Sequence, residues 1–440
     1  MKEKIRIGCG AGFSGDRLEP ALLLTEKGNL DYLVLECLAE RTIALAQKRK
    51  KQNPDVGFDV LLERRIEGLL PLLLEHKTRL ITNMGAANPI AGAQKIIEIA
   101  EKKGLKVKVA VVLGDDVFSG ISGEELTLEG GLPLRSYGPL ISANAYLGID
   151  AILPALESEA EIILTGRVAD PSLFLAPMVF ELGWDSKNYP LMGQGTVLGH
   201  LMECAGQITG GYFADPISKP VPDMDRLGHP FVDVFRDGTG VISKVADTGG
   251  IISVQTAKEQ LLYEVLDPEN YYTPDVIADF SKVKIQQTAA NEITITGGQG
   301  KAQPERLKVS VGYQAGWMGE GEISYAGAHA VERAKLAGEI IQKRIAHHFR
   351  EFRVDYIGLS SLHGEALSGH SSPYEVRLRV AGKTQDPFLA QLVGEEVEAL
   401  YTNGPAGGGG ARKSVTELLG VVSILHTRDK IPTSIEILKS

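Results

Sequence analysis

Residues 79–114, RLITNMGAANPIAGAQKIIEIAEKKGLKVKVAVVLG, carry the pattern on which the fold turns. Arg79 to Asn83 is a short apolar run that ends in a polar residue followed by small ones, and it reads as a buried strand. From Asn88 the apolar residues recur at intervals of three and four as far as Lys103, which predicts a helix. Asn88 is a natural cap and Pro89 suits the first helical position. Val107 to Gly114 is a second strand. Two strands joined by a helix of this length lie parallel, because the connection is a right-handed crossover rather than a hairpin.

The same alternation extends in both directions. Residues 5–9, 31–37 and 161–166 read as three more buried strands, and residues 18–27, 39–50, 59–76 and 140–158 as amphipathic helices. Five short apolar strands alternating with helices predict a doubly wound, mostly parallel sheet of Rossmann-like α/β class over residues 1–220. Beyond the cluster Pro216, Pro220 and Pro222 the pattern changes, which sets a domain boundary near residues 216–230. A hairpin is expected around 237–240. EITITGGQGK and RLKVSVGY read as two strands joined by a glycine-rich loop, and residues 327–349 as a long helix before two further strands. Residues 221–440 are thus an α+β half packed with the first.

The chain has 440 residues, 43% hydrophobic and 23% charged, which suits folded globular domains and excludes a disordered or small disulfide-stapled protein. With a net charge of −10 and no clustered basic stripe, nucleic acid is not an expected partner. Cys9, Cys37 and Cys204 are an odd, scattered trio suited to a reducing compartment. The N-terminus lacks the apolar run of a signal peptide and no run approaches the roughly 18 residues of a membrane span, so a cytoplasmic protein without membrane attachment is expected. Glycine is the exception to this average composition, with 50 in the chain against a usual level of about 7%.

In parallel sheets ligands sit beyond the carboxyl ends of the strands. There the sequence places Gly10, Gly12, Gly15 and Asp16 after the first strand, Glu36 at the end of the second, Asn83 after the third, Asp115 after the fourth, and Arg167 with Asp170 after the fifth. Five polar ends next to small residues predict a ligand crevice. Each piece also has a plainer reading: Asp16 with Glu19 is a capping box, Asn88 a cap, and Arg167 with Asp170 a local ion pair. His200, Glu203 and Cys204 share one helical face, which serves acid–base chemistry, a metal, or merely a satisfied core histidine. None of the zinc spacings occurs elsewhere, so no metal is assigned, and no cofactor is either.

Gly10-x-Gly12-x-x-Gly15 with Glu36 in the next strand matches the dinucleotide fingerprint in spacing. Pro20, however, would then fall inside the helix, so the loop is read instead as a longer cradle for phosphate or carboxylate, with NAD binding as the alternative. YTNGPAGGGGARKS, residues 401–414, offers Gly407, Gly408, Gly409 and Arg412 for an anion or a subunit contact, or is a surface turn. GWMGEGEISYAG, residues 316–327, is read as a substrate lip or an interface.

Together with RIGCGAGFSGDR, DYLVLECLAERTIALAQ, TNMGAANP, TGRVADPSLFLAP and GHLMECAGQITGGYFADP, these strings resemble the acyclic terpene utilisation family AtuA over nearly the whole chain. The resemblance implies catabolism of acyclic terpenes such as citronellol and geraniol through branched acyl-CoA intermediates. It assigns no residue a role. Longer family members carry a C-terminal ferredoxin-like domain, which implies a separate small AtuA-like subunit as a partner here, and a homo-oligomer is expected. The leading expectation is therefore a catabolic enzyme subunit acting on a carboxylate or acyl-CoA by lyase- or hydratase-like proton chemistry. In it Arg167 binds a carboxylate, Asn83 and the 10–15 loop hold an oxyanion or phosphate, and Glu36, Asp170, His200 and Glu203 move protons. An NAD-dependent oxidoreductase and a non-catalytic scaffold for the small subunit are the alternatives.

Overall fold

The computed structural model describes residues 1–368 and 372–440. The chain divides into two compact units, the first made of Met1–Leu134, Ile141–Gly312 and Val421–Ser440, the second of Arg135–Leu140 and Tyr313–Gly420.

In the first unit β1 (Lys4–Ala11), α1 (Glu19–Lys27), β2 (Tyr32–Leu35), α2 (Glu40–Gln52), α3 (Leu62–His76), β3 (Arg79–Thr82), α4 (Pro89–Lys102) and β4 (Lys108–Leu113) follow the expected alternation. Then come β5 (Leu140–Ala145), α5 (Ile149–Glu157), β6 (Ile162–Thr165), α6 (Ser172–Leu182) and α7 (Tyr189–Glu203). β1, β2, β3, β6 and β4 lie side by side in that order, all parallel. β2, β3 and β6 are buried almost throughout, which is why they read as continuous apolar runs. The chain steps past one place to reach β4 and returns to fill it with β6. Right-handed crossovers then put α1, α3 and α4 on one face, over a core that includes Leu24, Ile66, Leu69 and Ile96, and α5 and α6 on the other. Asn88 caps α4 by accepting from the Ala91 amide, with Pro89 in the first turn, as the sequence indicates.

The sheet continues beyond the parallel strands. β7 (Pro230–Phe235) and β8 (Gly240–Lys244) form the expected hairpin, and after α8 (Val254–Leu262), β9 (Tyr271–Tyr272) and β10 (Ile277–Asp279) come β11 (Lys284–Ala289) and β12 (Glu292–Thr296). β7 pairs antiparallel with β1, followed by β8, β12 and β11. At the other edge β18 (Ser434–Lys439) pairs antiparallel with β4, completing a ten-stranded mixed sheet. The boundary expected at 216–230 therefore lies inside the first unit. The prolines mark a loop, and the hairpin after them covers the edge of β1 that the parallel strands leave open.

EITITGGQGK and RLKVSVGY do not pair with each other. β12 belongs to the large sheet, β13 (Gln299–Lys301) joins β10 and β9 in a small one, and β14 (Arg306–Ala326) starts a third. Residues 140–145, expected to open a helix, form β5, which pairs with β14, and the helix starts only after Gly148. Small alternating side chains in ISANA satisfy either period, and pairing decided it.

The second unit continues from β14 through α9 (Ala330–Ile345), β15 (Glu351–Ile357), α10 (Gly364–Ser368), β16 (Glu375–Thr384), α11 (Pro387–Asn403) and β17 (Gly409–Thr427). Apart from the short α10 this is β-α-β-β-α-β, with strands ordered β15-β16-β14-β17, the ferredoxin-like arrangement. The ferredoxin-like element that the resemblance implied as a separate subunit thus has a counterpart within this chain. Residues 316–326, read from the sequence as part of a substrate lip or an interface, lie in β14, Trp317 opposite Thr384 and Ala326 opposite Glu375 on β16. Gly319 lets α11 close onto the strand, since a Cβ there would collide with the Ala390 backbone.

Candidate active site

Three of the five strand ends open into one cleft of about 1510 Å³ in the first unit. β1 leads into Gly12, Phe13 and Asp16, β2 into Glu36, and β6 into Arg167 and Asp170. Glu203 and Cys204 at the end of α7, His229 before β7, Tyr263 and Glu264 after α8, and Tyr271 of β9 complete much of the wall. The other two strand ends stand behind this wall and do not line it.

Arg167 is the hub. It is 1% exposed, and its Nη1 donates to the Leu38 carbonyl while Nη2 pairs with Asp170 at 2.5 Å. Its guanidinium lies 4.0 Å from the centre of the Tyr146 ring, and Lys308 lies 4.9 Å from the same ring. The Tyr146 hydroxyl donates to Glu40 at 2.5 Å, which Lys308 also reaches at 3.2 Å. Burial works against ionisation of Glu40, but these partners prevail and hold its carboxyl at about 2. Arg167 is thus the counter-ion of Asp170, the local ion pair that its spacing allows, while its Nε has no hydrogen-bond partner among the described residues.

Glu36 is held by two donors on one oxygen. The Leu38 amide at 2.9 Å and the Asn83 side-chain amide at 2.8 Å both reach Oε1. Asn83 is itself fixed by accepting from the Cys37 amide at 2.7 Å. Burial, then the charge of Asp170, pushes the Glu36 carboxyl well above its usual range, against the pull of Arg167. Oε2, the oxygen that neither donor engages, is the position open to a proton. Asp170 keeps 34% of its side chain accessible, yet loss of hydration between the walls raises its carboxyl too, with Arg167 opposing.

Burial favours one protonation pattern for the His200–Glu203 pair. His200 Nε2 lies 3.0 Å from the Gln260 carbonyl, which can only accept, so Nε2 carries the hydrogen. Burial lowers the imidazole to about 4, leaving it neutral with a lone pair on Nδ1. Glu203 Oε1 sits 2.9 Å from that nitrogen and in the neutral pair donates to it. Burial, then Asp170 and Glu264, raises the Glu203 carboxyl well above its usual range, which agrees. Glu203 is thus a carboxylic acid at the cleft wall, and His200 stands behind it without lining the cleft. Gln260 locks the arrangement by donating back to the His200 carbonyl at 3.0 Å.

Several expected ligand contacts prove to be internal. Asp115 accepts from the Asn144 amide and the Arg167 backbone at 2.8 and 2.9 Å, a tie between strands rather than a cofactor contact. Gly10 lies within β1, where a Cβ would press on Leu35 and Ala21. Gly12 does line the cleft, but its lack of a side chain admits the backbone of Glu203 and Cys204. Gly15 faces the Phe13 ring and a smaller hollow. Asp16 caps no helix. Its carboxylate accepts from the Gly12 and Phe13 amides, at 2.7 and 3.3 Å, while α1 starts at Glu19 without a side-chain cap. A loop this long leaves no glycine turn entering directly into a helix, so the geometry of the dinucleotide fingerprint is not formed.

Gly407, Gly408, Gly409 and Arg412 belong to the second unit and do not line the cleft. Gly407 has φ +71° and sits beside Arg333, which donates to the Ala406 carbonyl at 2.7 Å, and Gly409 begins β17. The run turns the chain from α11 into a strand. Sequence reasoning missed Tyr146, Lys308 and His229. Tyr146 was hidden in the expected helix 140–158, and no local pattern marks the other two.

Among the described residues no group of three His, Cys, Asp or Glu side chains is arranged to hold a metal ion, and no helix is long and apolar enough to cross a membrane. The sequence model of the family described as acyclic terpene utilisation family protein AtuA matches residues 5–437. No curated protein and no solved structure matches the chain.

Proposed function

The chain belongs to the acyclic terpene utilisation family AtuA, and from that membership we propose that its cleft is the active site of a catabolic enzyme for branched apolar acids or their acyl-CoA thioesters. The reaction class is lyase- or hydratase-like proton transfer. One observation carries this reading: Glu36 and Glu203, carboxyls whose burial favours the protonated form, line the same cleft around an Arg167–Asp170 pair. A lone carboxyl raised by burial is often structural. Two in one cavity, in a wall that also carries Tyr146, Tyr263 and Tyr271, are suited to proton transfer, with Glu36 as the donor to a substrate atom and Glu203 tied back to His200. Asp170, kept next to a fixed cation, provides negative charge near any positive charge that develops.

The cleft exceeds the roughly 300–1,000 Å³ of ordinary small-molecule sites, which favours a carrier-bound substrate over a free ten-carbon acid. Arg17, Arg306 and Lys308 on its lining are suited to the anionic part of such a carrier.

The test is genetic and analytical. Glu36→Gln and Glu203→Gln variants, with unchanged circular dichroism, are expected to abolish growth of the host on citronellol as sole carbon source. Native mass spectrometry of the wild-type protein from that host is expected to show a retained branched acyl compound. Normal growth with both variants refutes the assignment.

A further inference from the structure

Among the described residues His229 is the one histidine of the cleft wall, and neither its neighbours in sequence nor the family resemblance marks it. Its ring is 5% exposed. Nδ1 lies 3.2 Å from the carbonyl of Gly10, at the end of β1. A carbonyl oxygen only accepts, so the hydrogen of the neutral ring resides on Nδ1 and the lone pair on Nε2. Nε2 lies on the side of Gly206, which also lines the cleft: a Cβ added to that glycine would stand 3.6 Å from it. The ring is therefore oriented by backbone, with its Nε2 edge beside Gly206 and Leu227, residues that line the cleft with it. This is the reverse of His200, where both ring nitrogens are engaged by protein.

We propose that His229 is the proton acceptor of the cleft, its Nε2 lone pair held toward the ligand by the hydrogen bond from Nδ1 to the Gly10 carbonyl. The proposal rests on reading the cleft as a site of proton chemistry and adds the base that the carboxylic acids lack. In the reaction a substrate C–H bond breaks, its proton goes to Nε2 and its electron pair forms a C=C bond as the C–O bond of a neighbouring hydroxyl breaks; Glu36 supplies the proton with which that oxygen leaves as water, and proton transfer from His229 back to Glu36 through solvent restores both side chains. The groups facing the ring support a neutral resting state. Burial lowers it, the Arg65 guanidinium lowers it further, and Asp16 on the loop after β1 and the carbonyls of Gly10 and Cys9 oppose.

The experiment combines a direct readout with a functional one. In protein labelled with ¹⁵N-histidine, with the His229 signal assigned from its loss in His229→Asn, the ring is expected as the neutral Nδ1–H form at pH 7. An imidazolium or an Nε2–H tautomer there overturns the proposal. Diethylpyrocarbonate at pH 6.5 is expected to modify His229 at least tenfold faster than His200, by peptide mapping, and equal rates overturn it. The mapping needs no variant, so it decides even where His229→Asn fails to fold. Where that variant folds, growth on citronellol is expected to be lost. Normal growth with it, while Glu36→Gln and Glu203→Gln abolish growth, overturns the role of His229 and leaves the reading of the cleft standing. Normal growth with all three overturns that reading itself.

Discussion

Replacing His200 by glutamine is expected to remove about 3 kcal/mol of acid-induced destabilisation from the first unit while changing its stability at pH 7 far less. The magnitude follows from the site. In the folded protein burial holds the imidazole at about 4, whereas in the unfolded chain it titrates near its ordinary 6.5. The folded pKa is depressed, so below pH 6.5 the unfolded chain takes up a proton that the folded site refuses. Stability therefore falls as pH drops from about 6.5 to 4, by about 1.4 kcal/mol for each unit of difference. His200 is 1% exposed, so solvent screening does not reduce the effect. Glutamine does not titrate, and it keeps a donor for the Gln260 carbonyl and an acceptor for the Glu203 proton.

The assay is urea unfolding at pH 7 and pH 4, read from Trp184 in a Trp317→Phe background, because Trp184 lies in the first unit and Trp317 in the second. Buried carboxyls such as Asp115 and Asp275, both raised to about 6, titrate in the same range with the opposite sign. Hence only the difference between the two proteins isolates His200. If both lose the same stability between pH 7 and 4, or if His200→Gln alone unfolds at pH 7, the protonation pattern derived for the His200–Glu203 pair is wrong.

Three further outcomes follow from the same geometry. Arg167→Met leaves Asp170 without its counter-ion and the Leu38 carbonyl without its donor, and should cost about 3–5 kcal/mol in denaturant unfolding. Asn83→Ala frees Glu36 Oε1 and the Cys37 amide and should cost about 1–3 kcal/mol, with hydrogen exchange quickening at Cys37 and Leu38. Gly319→Ala should destabilise the second unit by about 1–3 kcal/mol, because the new methyl meets the Ala390 backbone. Trp317 fluorescence should register that loss, and Trp184 should not.

The parts of this protein that are periodic were legible. The short apolar runs ending at Cys9, Cys37, Asn83, Gly114 and Gly166 became the five parallel strands, because a strand buried on both faces leaves an unbroken apolar string whatever its neighbours. The polar residues after three of those strands did reach one cleft. Asn83 and Asp115 occupy equivalent positions in sequence, yet they face neighbouring strand ends and serve as ties, and nothing local distinguishes the two cases. Glycine was the weakest guide. Gly10 is small because Leu33, Leu35 and Ala21 press on it, Gly12 because the backbone of Glu203 and Cys204 does, and Gly319 because Ala390 of α11 does.

The sequence by itself determined the parallel α/β sheet, the family, and the identity of the carboxyls at the strand ends, because each is carried by short-range patterns. Tertiary structure decided how the chain divides, since the hairpin after Pro222 completes the first sheet instead of starting a new body. It also decided the protonation of the site. The tautomer of His200 beside Glu203 is set by the Gln260 carbonyl, and that of His229 by the carbonyl of Gly10, 219 residues away. Hydrogen-bond partners brought together by folding assign these protons, and no spacing along the chain encodes them.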